Sequence, residues 1–276
     1  MIDLQIHSKR SDGSYSLEAI AMLYISMGYR YIGITDHDRL IDFYEIQKAY
    51  KGSDIFIIPG VEISAYDYEA KRKVHLLGYF IQDKSVLKDL LGKVTVSRRE
   101  VARQMIELLQ KDGYPISYAD VLHIAGTGGI YKQHILHFLH QKGFTDEVTE
   151  EDFKEGNRYY CPIAYADYKE AIAAIKEAGG IAVLAHPGET KAFDLIPKLV
   201  EQGLDGIQLK HPSHTPQDEE LCKSIAKQYG LVKVAGSDNH GKYSSQQIDF
   251  KSLQLCPEEE AELVAYLDER IKMMNK

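Results

Sequence analysis

Short apolar runs recur along this chain, and most of them stop at a residue able to hold a cation. Residues 2–6 alternate as a half-buried strand should and end at His7; 31–35 lead into Asp36-His37-Asp38; 55–58 run through Pro59-Gly60 to Glu62; and 74–80 carry His75. Later, 181–185 end at His186, 206–209 at Lys210-His211, and 231–235 at Ser237-Asp238-Asn239-His240. Amphipathic stretches separate these runs. Residues 17–27 follow Ser16, an N-cap with Ala19 rather than Glu three positions on; 168–178 stop at Gly179-Gly180, 218–229 at Gly230, and 257–274 open on proline and three glutamates. Strand and helix therefore alternate over 1–86 and 165–276, whereas 87–164 reads as helices, 97–110 and 132–140 among them. The pattern predicts an α/β fold, a TIM-like βα barrel whose strand ends converge on one mouth. A mainly helical insertion domain at 87–164 is expected to stand beside that mouth and contribute to it.

A chain of 276 residues with 44% hydrophobic content builds one large core, or one core plus a small module. The formal net charge is −8 and no dense Lys/Arg run appears, which argues against a duplex-DNA partner. A nucleotide or a short single strand stays open, because bound metal ions carry positive charge that the formal count omits. Three cysteines, odd in number and far apart, suggest neither a disulfide framework nor a thiolate zinc site. No stretch approaches 18 apolar residues and the chain opens directly on a strand, so no membrane span is expected and a cytoplasmic setting is the default. Histidine is the unusual component, with 11 residues.

Spacing of two places Gln5 and His7 on one strand face, and Asp12 returns from a loop beside Gly13. Taken alone, Asp12-Gly13 is equally an ordinary turn. His37 stands between two acids, an arrangement that fixes the tautomer of a ligating imidazole. Glu62 lies in an apolar strand, where a buried carboxylate needs a charge partner or a metal. His134, His137 and His140 fall every third residue on a helix; His134 is taken as a ligand, His137 is open between a supporting and a surface role, and His140 rotates away. His123 has no special context. His186, Asp238 and His240 each sit where a strand meets a Gly- or Pro-marked turn. His211 and His214 bracket Pro212-Ser213 and either grip substrate or form a polar surface loop. Nitrogen and oxygen ligands without thiolates favour zinc, manganese or iron, and the supply exceeds one tetrahedral ion. Two or three divalent ions bridged by Glu62 are the economical reading, suited to activating water and neutralising phosphate oxygens. There is no G-x-S-x-G elbow, G-x-G-x-x-G fingerprint or phosphate loop; Gly126-Thr127-Gly128-Gly129 reads as a bend of the insertion near the site.

Taken in order, Asp3 to Gly13, Ile34 to Asp38, Pro59 to Ser64, His75 to Tyr79, Ala185 to Gly188 and Gly236 to Gly241 resemble the polymerase-and-histidinol-phosphatase (PHP) superfamily across nearly the whole chain. The insertion together with Leu209-Lys210-His211-Pro212-Ser213-His214 is similar to a bacterial branch of nucleotide phosphatases and 5′-to-3′ exoribonucleases. The resemblance implies a distorted (β/α)7 barrel and up to three metal positions. One would use His7, Glu62 and Asp238 with the residue at 5, a second Glu62, His75 and His134, and a third Asp12, His37 and His240. His186 would lie beside the phosphate as an acid or orienting group, and Arg98 and His211 would contact it. Val101 stands where the branch often has a further arginine, with Arg99 and Arg103 as possible substitutes. Gln5 departs from the pattern, since an amide is a poorer ligand than imidazole, and the first position should be weaker, relocated or empty. The implied activity is metal-dependent hydrolysis of phosphate esters of nucleotides or short RNA by a metal-activated hydroxide. The alternatives are an amidohydrolase or small-molecule phosphatase of the same fold, and a weakly active or noncatalytic metal-binding protein because of Gln5.

Overall fold

The computed structural model describes residues 1–41, 55–244 and 247–274. The apolar runs become strands β1 (Ile2–Ile6), β2 (Tyr31–Ile34), β3 (Phe56–Asp67), β4 (Arg72–Tyr79), β5 (Ala166–Asp167), β6 (Ile181–Leu184), β7 (Gly206–Lys210) and β8 (Val232–Ala235). They form one sheet in the order β1-β2-β3-β4-β6-β7-β8, with β5 on the flank of β3. Neighbours run parallel except around β4, which is antiparallel to both β3 and β6. The sheet nearly closes on itself because the chain beyond β8 returns to β1. Asp238 donates its N–H to the Gln5 carbonyl at 2.9 Å, and His7 donates to that of Asn239 at 3.0 Å. The result is the expected distorted TIM-like barrel, its distortion being the reversed β4. That reversal follows from the β3–β4 hairpin, whose turn is pinned by Asp67 Oδ1 accepting from the N–H groups of Glu69 and Ala70.

Helices among the described residues are α1 (Leu17–Ser26), α2 (Lys84–Lys111), α3 (Tyr118–Ala125), α4 (Lys132–Gln141), α5 (Tyr168–Glu177), α6 (Pro187–Thr190), α7 (Ile196–Glu201), α8 (Pro216–Tyr229) and α9 (Pro257–Met274). Ser16 caps α1 as expected, accepting from Ala19 N–H. The barrel core joins β-strand residues such as Leu76, Val183 and Ile207 to Ile172 and Ile175 of α5 and Leu263 and Leu267 of α9. A second apolar cluster, including Val101, Ile106, Leu109, Val121, Ile135 and Leu139, holds the helical insertion together.

Helix α2 belongs to both. The pattern places one helix of the 87–164 stretch at 97–110. The helix instead starts at Lys84, capped by Asp83 accepting from Ser85 N–H, because Leu87 and Leu91 bury against the barrel. Arg98 thereby rides on a helix anchored at both ends. No helix among the described residues is long and apolar enough to cross a membrane.

Candidate metal centre

The loop from Ser8 to Gly13 is folded around the buried Asp36. Asp36 accepts from Ser8 N–H at 2.8 Å, Ser8 Oγ at 2.7 Å and Ser11 Oγ at 2.5 Å, which turns Asp12 toward the mouth. At Gly13 a Cβ would lie 2.1 Å from the His7 carbonyl, so only glycine lets the loop return this closely. On the other side, buried Asp3 fixes the segment after β8, accepting from Ser237 N–H at 2.9 Å and Tyr24 Oη at 2.8 Å. Asp38, His186 and Asp238 all adopt left-handed backbone, with φ of 53°, 26° and 51°. For non-glycine residues each such conformation costs on the order of 1–3 kcal/mol, a cost that clusters at functional sites.

These devices bring ligand atoms into three groupings, each within 4.8 Å: His7, Asp12, His37 and His240; His37, Glu62 and His75; His7, Glu62 and Asp238. Glu62 Oε1 faces His75 Nδ1 at 2.7 Å and His186 Nε2 at 3.2 Å, while Oε2 faces His7 Nε2 at 3.1 Å. Asp12 lies 3.4 Å from His240 Nε2, and Asp238 lies 2.9 Å from His7 Nε2. Burial would raise the pKa of Glu62, Asp12 and Asp238, but the surrounding imidazoles hold all three well below the carboxylate range. Burial pushes His37 down to about 4; it opposes protonation of His186 too, yet the bond to Glu62 lifts that ring to about 9.

Cations fit this arrangement better than hydrogen bonds do. His7 Nδ1, Asp12 Oδ1, Asp238 Oδ1 and His240 Nε2 are buried without a hydrogen-bond partner, although opposite charges crowd around them. The His7 and His240 rings stack at 4.0 Å, an arrangement that positive imidazoles would oppose and neutral ligating ones permit. Unpartnered buried polar atoms cost about 1–3 kcal/mol each. Divalent ions among them would remove that cost, and the N/O donor set suits such ions.

Several expected residues find their places differently. His134 is buried, but its Nδ1 accepts from Tyr131 N–H at 3.1 Å, capping α4, and its ring meets Tyr243 edge-on. His37 rather than His134 joins Glu62 and His75 in the close grouping. His186 stands on Glu62 beside His75, their ring centroids 5.1 Å apart. His211 Nε2 lies 3.6 Å from Asp238, whereas His214 is turned into its own loop, bonded to the Leu209 carbonyl and the Gly188 N–H. His137 bonds to Gln141 on the exposed side of α4. Arg98 donates to Asp38 Oδ2 at 2.6 Å and Ser64 Oγ at 3.0 Å, leaving its buried Nε without a partner. The glycine-rich bend packs on the ligand loop: a Cβ at Gly128 would lie 2.7–2.8 Å from the carbonyls of Lys9 and Ser11.

Sequence reasoning missed Gln208, although a lone polar residue inside β7 signals a buried group in need of partners. Gln208 Oε1 accepts from His186 N–H at 2.6 Å, so its amide nitrogen faces the other way and donates to Gln5 Oε1 at 2.8 Å and the Gly236 carbonyl at 3.3 Å. Gln5 is left to donate its own amide N–H to Glu62 Oε2 at 2.6 Å. Backbone groups thus fix both amides, and Gln5 shows Glu62 a donor instead of a ligand atom.

The centre opens into a cleft of about 780 Å³ walled by both the barrel and the insertion. A family model described as PHP domain matches residues 3–231. The phosphoribosyl 1,2-cyclic phosphate 1,2-diphosphodiesterase of Eggerthella lenta is 33% identical over 247 residues, covering 87% of this chain and 94% of that one. A 5′-3′ exoribonuclease of Salmonella typhimurium is 28% identical over 252 residues, 86% of this chain and 84% of the other. Among solved structures, a Bifidobacterium adolescentis protein assigned to the metal-dependent phosphoesterases superimposes with a TM-score of 0.84 at 25% identity, over 96% of this chain and 95% of that one.

Proposed function

This chain belongs to the PHP domain family, and on that premise we propose that its centre hydrolyses phosphate esters carried on a ribose, in a nucleotide, a phosphorylated sugar or the end of a short single-stranded RNA. It is a metal-dependent hydrolase with clustered ligands for divalent ions. The observation that carries the phosphate reading is the row of side chains on one face of β3. Glu62 meets the ligands, and Ser64, two residues on, accepts from Arg98, so a guanidinium stands one strand step from the carboxylate shared by two groupings. The two relatives act, by their names, on phosphates attached to ribose.

Asp12, His37 and His240 would hold one ion, and Glu62 and His75 a second, with His186 on the same carboxylate. Bound manganese, zinc or iron would supply Lewis acidity toward water and phosphate oxygens. The chain's own residues do the rest. Arg98, whose Nε is free to donate, spreads the negative charge that grows on the phosphoryl group. Asp38 and Ser64 hold its other edge in place. His186 Nδ1, also free, is the atom that would deliver a proton to the leaving oxygen. In this reading residues 1–86 and 165–276 form the catalytic barrel, and the insertion at 87–164 serves it by delivering Arg98.

The test is turnover of metal-reconstituted protein on phosphoribosyl 1,2-cyclic phosphate, mononucleotides, a 3′,5′-bisphosphonucleoside, 5′-phosphorylated oligoribonucleotides and N-acyl amino acids. Release of phosphate or opening of the cyclic ester is expected. Turnover of the N-acyl amino acids alone would mean amide chemistry, and a metal-loaded protein inert toward all of them would mean a binding role.

A further inference from the structure

Both oxygens of Glu62 are reached from one buried side chain that is neither a candidate ligand nor exposed to the cleft. Gln208 lies inside β7, fully buried, and its two amide atoms serve two separate arms. Its Oε1 accepts from the His186 N–H at 2.6 Å, and the His186 imidazole stands with Nε2 3.2 Å from Glu62 Oε1. Its Nε2 donates to Gln5 Oε1 at 2.8 Å, and Gln5 passes its own amide N–H to Glu62 Oε2 at 2.6 Å. The two arms form a closed circuit through β1, β3, the end of β6 and β7.

The direction of this circuit is fixed. The His186 N–H can only donate and the Gly236 carbonyl can only accept, so a reversed Gln208 amide would set donor against donor and acceptor against acceptor. Gly236 also makes room for the junction: a Cβ there would lie 2.6 Å from Gln208 Nε2 and 2.6 Å from Gln5 Cβ. At the other arm, the N–H that Gln208 holds belongs to a residue with a φ of 26°, a conformation that persists only where its surroundings enforce it.

We propose that Gln208 is a positioning residue with two effects: it holds His186 in place for the leaving oxygen, and by occupying Gln5 Oε1 it keeps the cation position beside His7, Glu62 and Asp238 closed. The first effect rests on the phosphoester reading; the second rests on the ligand geometry alone. Without Gln208, the Gln5 amide is free to turn over and bring a carbonyl oxygen, in place of an N–H, toward His7, Glu62 and Asp238. Nitrogen and oxygen donors then surround one position, a set that manganese accepts. Gln208 thus decides whether Glu62 Oε2 faces a hydrogen-bond donor or a cation.

Gln208→Met keeps the reach of the side chain and removes both amide atoms. Elemental analysis of the purified, manganese-saturated variant, with circular dichroism and a thermal melt to confirm folding, is expected to show about one more ion per chain than wild type. The same substitution made on Gln5→Leu, which has no oxygen to offer, should add none. On whichever phosphoester wild type turns over, Gln208→Met should lower kcat by about two- to tenfold, the range for one lost hydrogen bond, with KM nearly unchanged. A folded Gln208→Met with no added ion, or an equal gain in both backgrounds, would overturn the closed cation position; an unchanged kcat would overturn the hold on His186. If Gln208→Met does not fold, anomalous scattering from manganese-loaded wild-type crystals decides: an ion beside Gln5 overturns the closure, and ions confined to the other groupings support it. If wild type turns over no phosphoester, that reading and the role at His186 fall together, while the ion counts still test the closure.

Discussion

At position 5 the side chain facing Glu62 is a donor, and that changes what the neighbouring grouping can hold. An imidazole there would add a lone pair to His7, Glu62 and Asp238; Gln5 adds an N–H, its oxygen already taken by Gln208. A cation placed between Gln5 and Glu62 would meet the positive end of the amide dipole and displace a 2.6 Å hydrogen bond. Metal analysis of the purified protein saturated with manganese or zinc should therefore give two ions per chain, and Gln5→His should move the count toward three. A wild-type count of three would sink this account. Asp3 offers a second residue-scale prediction. Burial raises its pKa to about 6, against about 3.9 in an unfolded chain. The folded state then binds more protons between these values, so the stability this group contributes is present below about pH 4. It is lost as pH rises through 6, by about 3 kcal/mol. Urea denaturation of Asp3→Asn and wild type at pH 4.5 and 7 should show the gap moving against wild type as pH rises; parallel curves would contradict it.

Among elements, the contact that matters most for the site is between the insertion and the loop after β1. Gly128 lies against the carbonyls of Lys9 and Ser11, in the loop that carries Asp12. Gly128→Ala should separate the two and cost about 1–3 kcal/mol, the usual range for overpacking. Weakened metal retention should accompany the loss, measured by thermal melts and by metal content after dialysis. A variant with wild-type stability and metal content would show that the insertion can shift freely. The same scale explains why α2 was only half legible. Its C-terminal part has an apolar stripe that local pattern reveals, whereas Gly92 and the β-branched residues near it are held helical by Leu87 and Leu91 burying in a barrel whose strands lie elsewhere in sequence.

For the whole molecule, the ligands arrive from the ends of β1 and β2, from within β3 and β4, and from the segment beyond β8 that closes the barrel. Ions bound among them would tie the closing strands to the rest of the sheet and would bind the folded chain alone. Adding manganese or zinc at a hundred times the dissociation constant should raise stability by about 2.7 kcal/mol per site, read as a rise in Tm that EDTA reverses. Asp12→Ala should remove part of that rise; a Tm indifferent to metal would mean that the groupings do not bind ions in solution.

The sequence alone pointed to residues that could be ligands, because His7, His37, Glu62, His75, Asp238 and His240 each interrupt or end an apolar run, and a polar group in such a place announces its need for a partner. Strand alternation and the change to helical pattern over 87–164 likewise gave barrel and insertion, since both depend on local periodicity. Only the tertiary structure decided how the candidate ligands are grouped. His134 Nδ1 accepts from the Tyr131 N–H at the start of α4, while His37 lies in the close grouping with Glu62 and His75. The orientation of the Gln5 amide is set by Gln208, 203 residues away in sequence. Such choices depend on which atoms of distant segments meet, and no local pattern carries that information.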